Sequence, residues 1–297
     1  DELRQKSKVE DEQQITFAEA VEKCLAKKES EFRNDKHRKQ WRSTLDNYAA
    51  PVLGEMNVAH ITMQDVLRVL EPIWTEKYPT AKKVLSAINQ LMLYKGHVLN
   101  LTKIRFDLPK VRHKETHLEK LETAALPSVV KTLWANRQRT DLFLLTTILT
   151  ASRTLPVRMM RHDELDYEND LWRCPRTKSG EPFDFPLSKQ AKEVIQAAQA
   201  LSESDEWVFP QTNNPKKHID ENSGRLRFQR ASKSKATVHG CRAILHDWAD
   251  PAGFDHLTIE LTLQHQALSD VEKAYQRSRY LERRRKLIDA WGEFCWS

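Results

Sequence analysis

The sequence runs to 297 residues, with 48 lysines and arginines against 42 acidic residues and a net charge of +6. That length exceeds the roughly 250 residues beyond which single cores split, so two domains are expected, and the basic balance suits a phosphate-bearing partner without establishing one. Four widely spaced cysteines, Cys24, Cys174, Cys241 and Cys295, form no C-x-x-C pair, which argues against a disulfide framework or a zinc ribbon; no apolar run nears the roughly 20 residues that span a bilayer, so a soluble, cytoplasmic chain is expected.

Residues 1–13 are charged and polar without apolar periodicity and are expected as a disordered tail, followed by an all-α domain over residues 14–108. Thr16 and Glu19 have capping-box spacing ahead of Phe17, Val21, Cys24 and Leu25, which opens a first helix. A second helix carries Trp41, Leu45 and Tyr48 on one face and stops over residues 51–54. Thr62 and Asp65 open a third, with Val66, Leu67, Leu70 and Trp74 at helical spacing, and a fourth begins near Thr80 and buries Val84, Ile88 and Leu91. Lys36, His37, Arg38, Lys39 and Arg42 crowd the start of the second helix, and Lys82 and Lys83 lie early in the fourth. Such clusters read either as solvated charged faces or as clamps on phosphates, and the sequence leaves both open.

Residues 109–123 are nearly all polar and read as a linker whose basic first half, with Lys110 and Arg112, suits a DNA backbone. The remainder, 124–297, forms a second domain. Helical patterns cover 127–136 and 140–150, and alternating stretches at 171–175 and 183–186 flank a turn signal at 176–181, which puts Lys178 at a hairpin tip. The pattern then returns to helix, including a capping box at Ser269 and Glu272 just before Tyr275. The fold class expected is mainly α with a small antiparallel sheet: an all-α domain plus a mixed α+β domain.

Six residues in the second domain form a set with chemical logic: Arg153, Lys178, His239, Arg242, His265 and Tyr275. A tyrosine hydroxyl attacking a phosphodiester needs the charge of a pentavalent phosphate neutralised, its own proton taken up, and a proton delivered to the departing sugar oxygen. Arginine suits the first task because its planar fork donates parallel charge-assisted bonds to phosphate oxygens. A lysine on a hairpin can reach the leaving oxygen, and histidines can donate to the phosphate or shuttle a proton near neutral pH. His239 and Arg242 are three residues apart, a spacing that puts both on one helical face, although an isolated H-x-x-R carries little specificity. A metal site at His239 and Cys241 is disfavoured, because the pair supplies no closed ligand set.

The order of the set and the words around it resemble the tyrosine recombinases, and within them the integrases of satellite phages and genomic islands. The resemblance is carried by Leu149-Thr150-Ala151-Ser152-Arg153, Trp172, Pro186-Leu187-Ser188, His239-Gly240-Cys241-Arg242, Leu263-Gln264-His265-Gln266 and Ala274-Tyr275-Gln276-Arg277-Ser278, with Arg284, Leu287 and Ala290-Trp291 beyond. In the N-terminal half, His37, Gln40-Trp41, Tyr48-Ala49-Ala50-Pro51, Gly54 and Pro72-Ile73-Trp74 resemble the branch's core-binding domain.

The resemblance implies a site-specific DNA recombinase in which Tyr275 is the nucleophile, Arg153 and Arg242 bind the scissile phosphate, Lys178 protonates the leaving oxygen, and His239 and His265 assist. It implies no cofactor and no metal. The implied partners are double-stranded DNA attachment sites, a homotetramer on DNA, and an excisionase or host DNA-bending factor, in a nucleoid-associated setting; integration or excision of a mobile element is the implied task. The chain departs from the pattern at Pro156, where the family commonly has a glutamate that orients the first arginine; Thr154 is placed to cap the helix there. Two alternatives stand: a decayed DNA-binding regulator, which the six intact positions argue against and Pro156 keeps open, and a type IB topoisomerase, which shares the same chemistry but lacks the genomic-island wording. The basic run 283–286 reads as a nucleic-acid contact, a solvated helix face or a docking tail, and Trp291, Phe294 and Trp296 as core residues or an anchor for a partner protomer.

Overall fold

The computed structural model describes residues 15–27, 35–112, 121–175, 177, 180–265 and 270–297, with side chains from His37 onward in the second segment and from Tyr280 onward in the last. The expected tail, the middle of the expected linker, Lys178 and Ser269 lie outside the described residues. The chain divides into two compact units, residues 1–115 and 116–297.

The first unit is helical throughout. Helix α1 (Phe17–Lys27) starts at a capping box: the Thr16 backbone N–H donates to Glu19 Oε2 (2.8 Å) and the Glu19 N–H to Thr16 Oγ1 (3.2 Å). These bonds satisfy donors that a helix start leaves orphaned. Helix α2 (Asp35–Thr44) passes through a π turn (Leu45–Ala49) into α3 (Ala50–Leu53). Pro51 falls just after the π turn, where the regular i→i−4 ladder is already interrupted, and the helical path runs on through it to Leu53. Helix α4 (Met63–Trp74) opens on the capping box of Thr62 and Asp65, and α5 (Tyr78–Tyr94) buries Val84, Ile88 and Leu91 as its spacing predicts. Helix α6 (Leu101–Asp107) escapes sequence reading: its one buried residue, Ile104, sets no periodicity, and its start is marked only by Asn100, which accepts from the Lys103 N–H (3.0 Å). Two tryptophans tie the unit together, Trp41 donating to Gln90 Oε1 (3.0 Å) and Trp74 to the Pro109 carbonyl (2.9 Å).

The second unit is built around α8. Helices α7 (Leu126–Asn136) and α8 (Arg139–Leu149) are followed by the short α9 (Thr154–Arg158). Every residue of α8 from Asp141 to Leu149 is buried, which makes it the central helix of the core. Strands β1 (Leu165–Asp166), β2 (Leu171–Cys174) and β3 (Phe183–Pro186) form an antiparallel sheet in the order β1-β2-β3. Its last pair is Cys174 with Phe183. Trp172 stacks on its cross-strand partner Phe185 (centroids 4.4 Å apart) and donates its indole N–H to Glu164 (2.9 Å). Helix α10 (Lys189–Ala200) packs on α8, and a second hairpin, β4 (Pro210–Gln211) with β5 (Asn214–His218), follows; the sequence reading did not anticipate it, since its strands lack alternation. Helices α11 (Arg225–Ser232), α12 (Cys241–Ala249), α13 (His256–Thr262) and α14 (Asp270–Trp296) complete the chain.

The end of α14 belongs to this unit's own core. Leu287, Ile288, Trp291 and Cys295 are buried, the Trp291 indole N–H donates to the Ile148 carbonyl (2.9 Å), and Phe294 stacks on Trp248 (centroids 5.2 Å apart). Within the basic run, Arg284 is neither solvated nor a surface contact. It is buried, donates to the Asp184 carbonyl (2.9 Å) and lies over the Phe183 ring (4.6 Å), fastening α14 to β3. Burial pulls its guanidinium down to about 10, still charged at neutral pH.

Candidate active site

Two helix ends and one helix start converge in the second unit. Helix α8 ends in Thr150 and Ala151, and Ala151 adopts the left-handed conformation (φ 49°). Helix α13 ends in Leu263, with Gln264 left-handed after it (φ 55°). The Gln264 N–H returns to the Leu261 carbonyl (3.1 Å) and the His265 N–H to the Glu260 carbonyl (2.9 Å), the paired bonds of a Schellman ending, whose left-handed position usually holds glycine. Helix α12 starts between them and brings Arg242 in its first turn.

Arg242 is buried, at 6% exposure, and donates through Nη1 to the Ala151 carbonyl and through Nη2 to the Leu263 carbonyl. It therefore ties both turns to α12. Arg153 is the N-cap residue of α9 and half-buried, and its Nη1 donates to Gln264 Oε1 (2.9 Å). An arginine can only donate, so this contact fixes which end of the Gln264 amide faces it. Gln264 Nε2, at the other end, is buried with no hydrogen-bond partner among the described residues. Thr154 does not cap α9; Arg153 holds the cap position and no side-chain bond is made there. Pro156 is buried within the same short helix.

Electrostatically the site brings two guanidinium cations under each other's influence. Burial, and next the neighbouring Arg153 charge, pull the Arg242 guanidinium down to about 10, with Glu260 opposing; burial also lowers Arg153. Both remain charged at neutral pH, and an entering anion would relieve their mutual repulsion. His265 is exposed and its Nδ1 faces Glu260 Oε2 at 2.8 Å. His239 is exposed in the 3-10 turn Val238–Gly240 that leads into α12. Cys241, beside Arg242 in sequence, is a core residue whose thiol burial pushes up to about 12. The structure thus gathers Arg153, Arg242 and His265 around two turns, with His239 just before α12. Tyr275 falls near the start of α14, and its side chain, like Lys178, lies outside the described residues.

Sequence reasoning missed Gln264 as a partner of Arg153. Its only signal was its place in Leu263-Gln264-His265, since a glutamine at a left-handed position cannot be recognised before the helix end is known. In the first unit, Arg38, Lys39, Lys82, Lys83, Lys110 and Arg112 lie at the surface to differing degrees, while the side chain of Lys36 lies outside the described residues. Arg42 is already partnered, with Glu22 (2.9 Å) and with Asp46 (3.1 Å), and Lys82 lies over the Tyr78 ring (5.2 Å). No helix among the described residues is long and apolar enough to cross a membrane.

Both units match models of known protein families. The model of the phage integrase family matches residues 117–282, and that of the phage integrase central domain matches residues 17–95. The chain is 24% identical over 301 residues to prophage integrase IntA of Escherichia coli strain K12, covering 97% of this chain and 73% of that protein. It is 22% identical over 303 residues to the integrase of Enterobacteria phage P4, covering 88% of this chain and 65% of that protein. Among solved structures, a lambda integrase tetramer bound to a Holliday junction superposes with a TM-score of 0.67 at 13% identity, over 88% of this chain and 77% of that one.

Proposed function

The chain belongs to the phage integrase family of tyrosine recombinases, and on that premise we propose that it cuts and rejoins DNA strands through a phosphotyrosyl bond at Tyr275, inserting or excising a mobile element. The observation that carries the reading is the Arg153 and Arg242 pair: a half-buried and a buried guanidinium group whose charges feel one another, each held by hydrogen bonds to neighbouring turns.

In this reading a phosphodiester enters opposite the two arginines. The Tyr275 hydroxyl oxygen attacks phosphorus, and its proton passes to a histidine, His239 or His265, or to solvent. Charge accumulating on the non-bridging oxygens meets Arg153 and Arg242, whose donors are fixed before the reaction and need no reorganisation. The bond to the 5′ oxygen breaks as Lys178 delivers a proton to it, leaving a 3′-phosphotyrosine and a free 5′ hydroxyl. The phosphodiester energy is kept in the new ester, so the 5′ hydroxyl of another strand can reverse each step and restore both Tyr275 and a DNA strand. Gln264 holds Arg153 where the family's usual carboxylate is replaced by Pro156, and its unsatisfied Nε2 donor suits a phosphate oxygen. Lys36, Arg38, Lys39, Lys82, Lys83, Lys110 and Arg112 would contact the DNA backbone, and assembly as a tetramer on paired sites follows the arrangement of the lambda integrase tetramer.

A suicide substrate with a nick beside the cleavage position tests this. Wild-type protein is expected to form a covalent adduct that survives denaturing electrophoresis, and Tyr275→Phe to form none while still shifting the DNA. An adduct undiminished in Tyr275→Phe, or absent from wild type, contradicts the reading.

A further inference from the structure

Glu260, which meets His265, also belongs to a second cluster, whose two other members the strand-transfer chemistry leaves unused. His256 and Glu260 are one turn apart on α13, and His246 projects from α12. One ligand atom from each of the three lies within 4.8 Å of the others. The His246 and His256 rings meet edge to face with centroids 5.9 Å apart, and His246 Nε2 is 3.7 Å from Glu260 Oε1. The other carboxylate oxygen, Oε2, is the one that meets His265. Glu260 therefore presents one oxygen to each histidine group.

We infer that His246, His256 and Glu260 form a binding site for a zinc-class divalent cation that clamps α12 to α13. Two imidazoles and a carboxylate are a donor set that zinc takes with a fourth position left to water, and they exclude magnesium, which prefers an all-oxygen octahedron. Zinc–nitrogen bonds of about 2.0–2.1 Å put neighbouring tetrahedral ligands about 3.3 Å apart. Contraction from the observed spread is a matter of rotamer adjustment, since all three side chains are partly or fully exposed. The same exposure gives the ion an entry path and leaves the fourth position open to solvent. With Oε1 on the ion and Oε2 on His265, the carboxylate becomes the link of a metal–carboxylate–histidine chain, an arrangement that fixes ring orientation. That last consequence, a cation steadying His265, rests on the function proposed above; uptake of the ion does not.

The test uses the full chain carrying Tyr275→Phe, so that the outcome is independent of strand cleavage. Protein stripped with a chelator is titrated calorimetrically with zinc chloride, and in parallel with magnesium chloride. One zinc ion per chain is expected, with no magnesium uptake, and the affinity should fall tenfold or more in His246→Ala and in His256→Ala but not in His60→Ala, which lies in the first unit. His256→Gln, a milder change at an exposed position, should weaken binding likewise, with circular dichroism confirming the fold. Absence of saturable zinc uptake, or uptake unchanged by loss of His246 and of His256, overturns the inference.

Discussion

Gln264 occupies a backbone position that glycine fills at least cost. A left-handed residue with a side chain costs roughly 1–2 kcal/mol, so something must offset it. The bond from Arg153 does so: a hydrogen bond to a charged group contributes about 1.5–3 kcal/mol, and Gln264 Oε1 is the acceptor that the structure gives Arg153. Gln264→Gly should therefore keep its melting temperature near that of wild type, because relief of the left-handed strain offsets the lost bond. Its single-turnover cleavage rate should fall about tenfold, the equivalent of 1.4 kcal/mol in transition-state stabilisation. A variant that cleaves as fast as wild type would show that Gln264 does not position Arg153. The residue types of the candidate site are expected from the sequence because phosphate chemistry calls for them and the surrounding words repeat a family pattern. Their support is not. The carbonyls of Ala151 and Leu263 that hold Arg242 are backbone groups, invisible to side-chain reasoning, and the missing carboxylate at Pro156 drew attention to a gap that a residue 108 positions further on fills through space.

At the scale of elements, the capping boxes at Thr16 and Thr62 and the hairpin joining β2 and β3 followed from local chemistry, because each is decided within a few residues. Elements decided by distant contacts were harder. Arg284 looked like part of a surface run until β3 supplied a carbonyl and a ring for it, and the β4–β5 hairpin and α6 are too short or too polar to show a period. Gly292 illustrates the same point. Its place inside α14 costs about 1 kcal/mol of helix propensity relative to alanine, which by itself would make Gly292→Ala stabilising. The added Cβ, however, would stand 2.6 Å from Gln190 Oε1 and 2.7 Å from Ser188 Oγ. Ser188 is buried and caps α10 by accepting from the Ala191 N–H (3.2 Å), so it cannot yield freely. We expect Gly292→Ala to lose about 1–3 kcal/mol in chemical denaturation as overpacking outweighs propensity; a gain in stability would mean that α14 is not seated on α10 as described.

For the whole molecule, two separate cores and a basic surplus agree with a DNA partner, and the site sits in the second unit at turns that glycine would ordinarily occupy. The chain has only 7 glycines in 297 residues, and among the described residues five that are not glycine take positive φ, two of them, Ala151 and Gln264, at the arginine pair. The sequence thus accepts strain where its carbonyls and side chains serve the site. The proposed reaction turns on its nucleophile, and the chain offers two tyrosines near the start of α14, Tyr275 and Tyr280. Their tryptic fragments differ, because cleavage after Lys273, Arg277, Arg279 and Arg283 separates residues 274–277 from residues 280–283. The most direct measurement is mass spectrometry of the covalent adduct trapped on a nicked attachment-site substrate, after nuclease and trypsin digestion. The account predicts a nucleotide joined through its 3′ phosphate to Tyr275 in the 274–277 fragment; a nucleotide on Tyr280, or one joined through a 5′ phosphate, would contradict it.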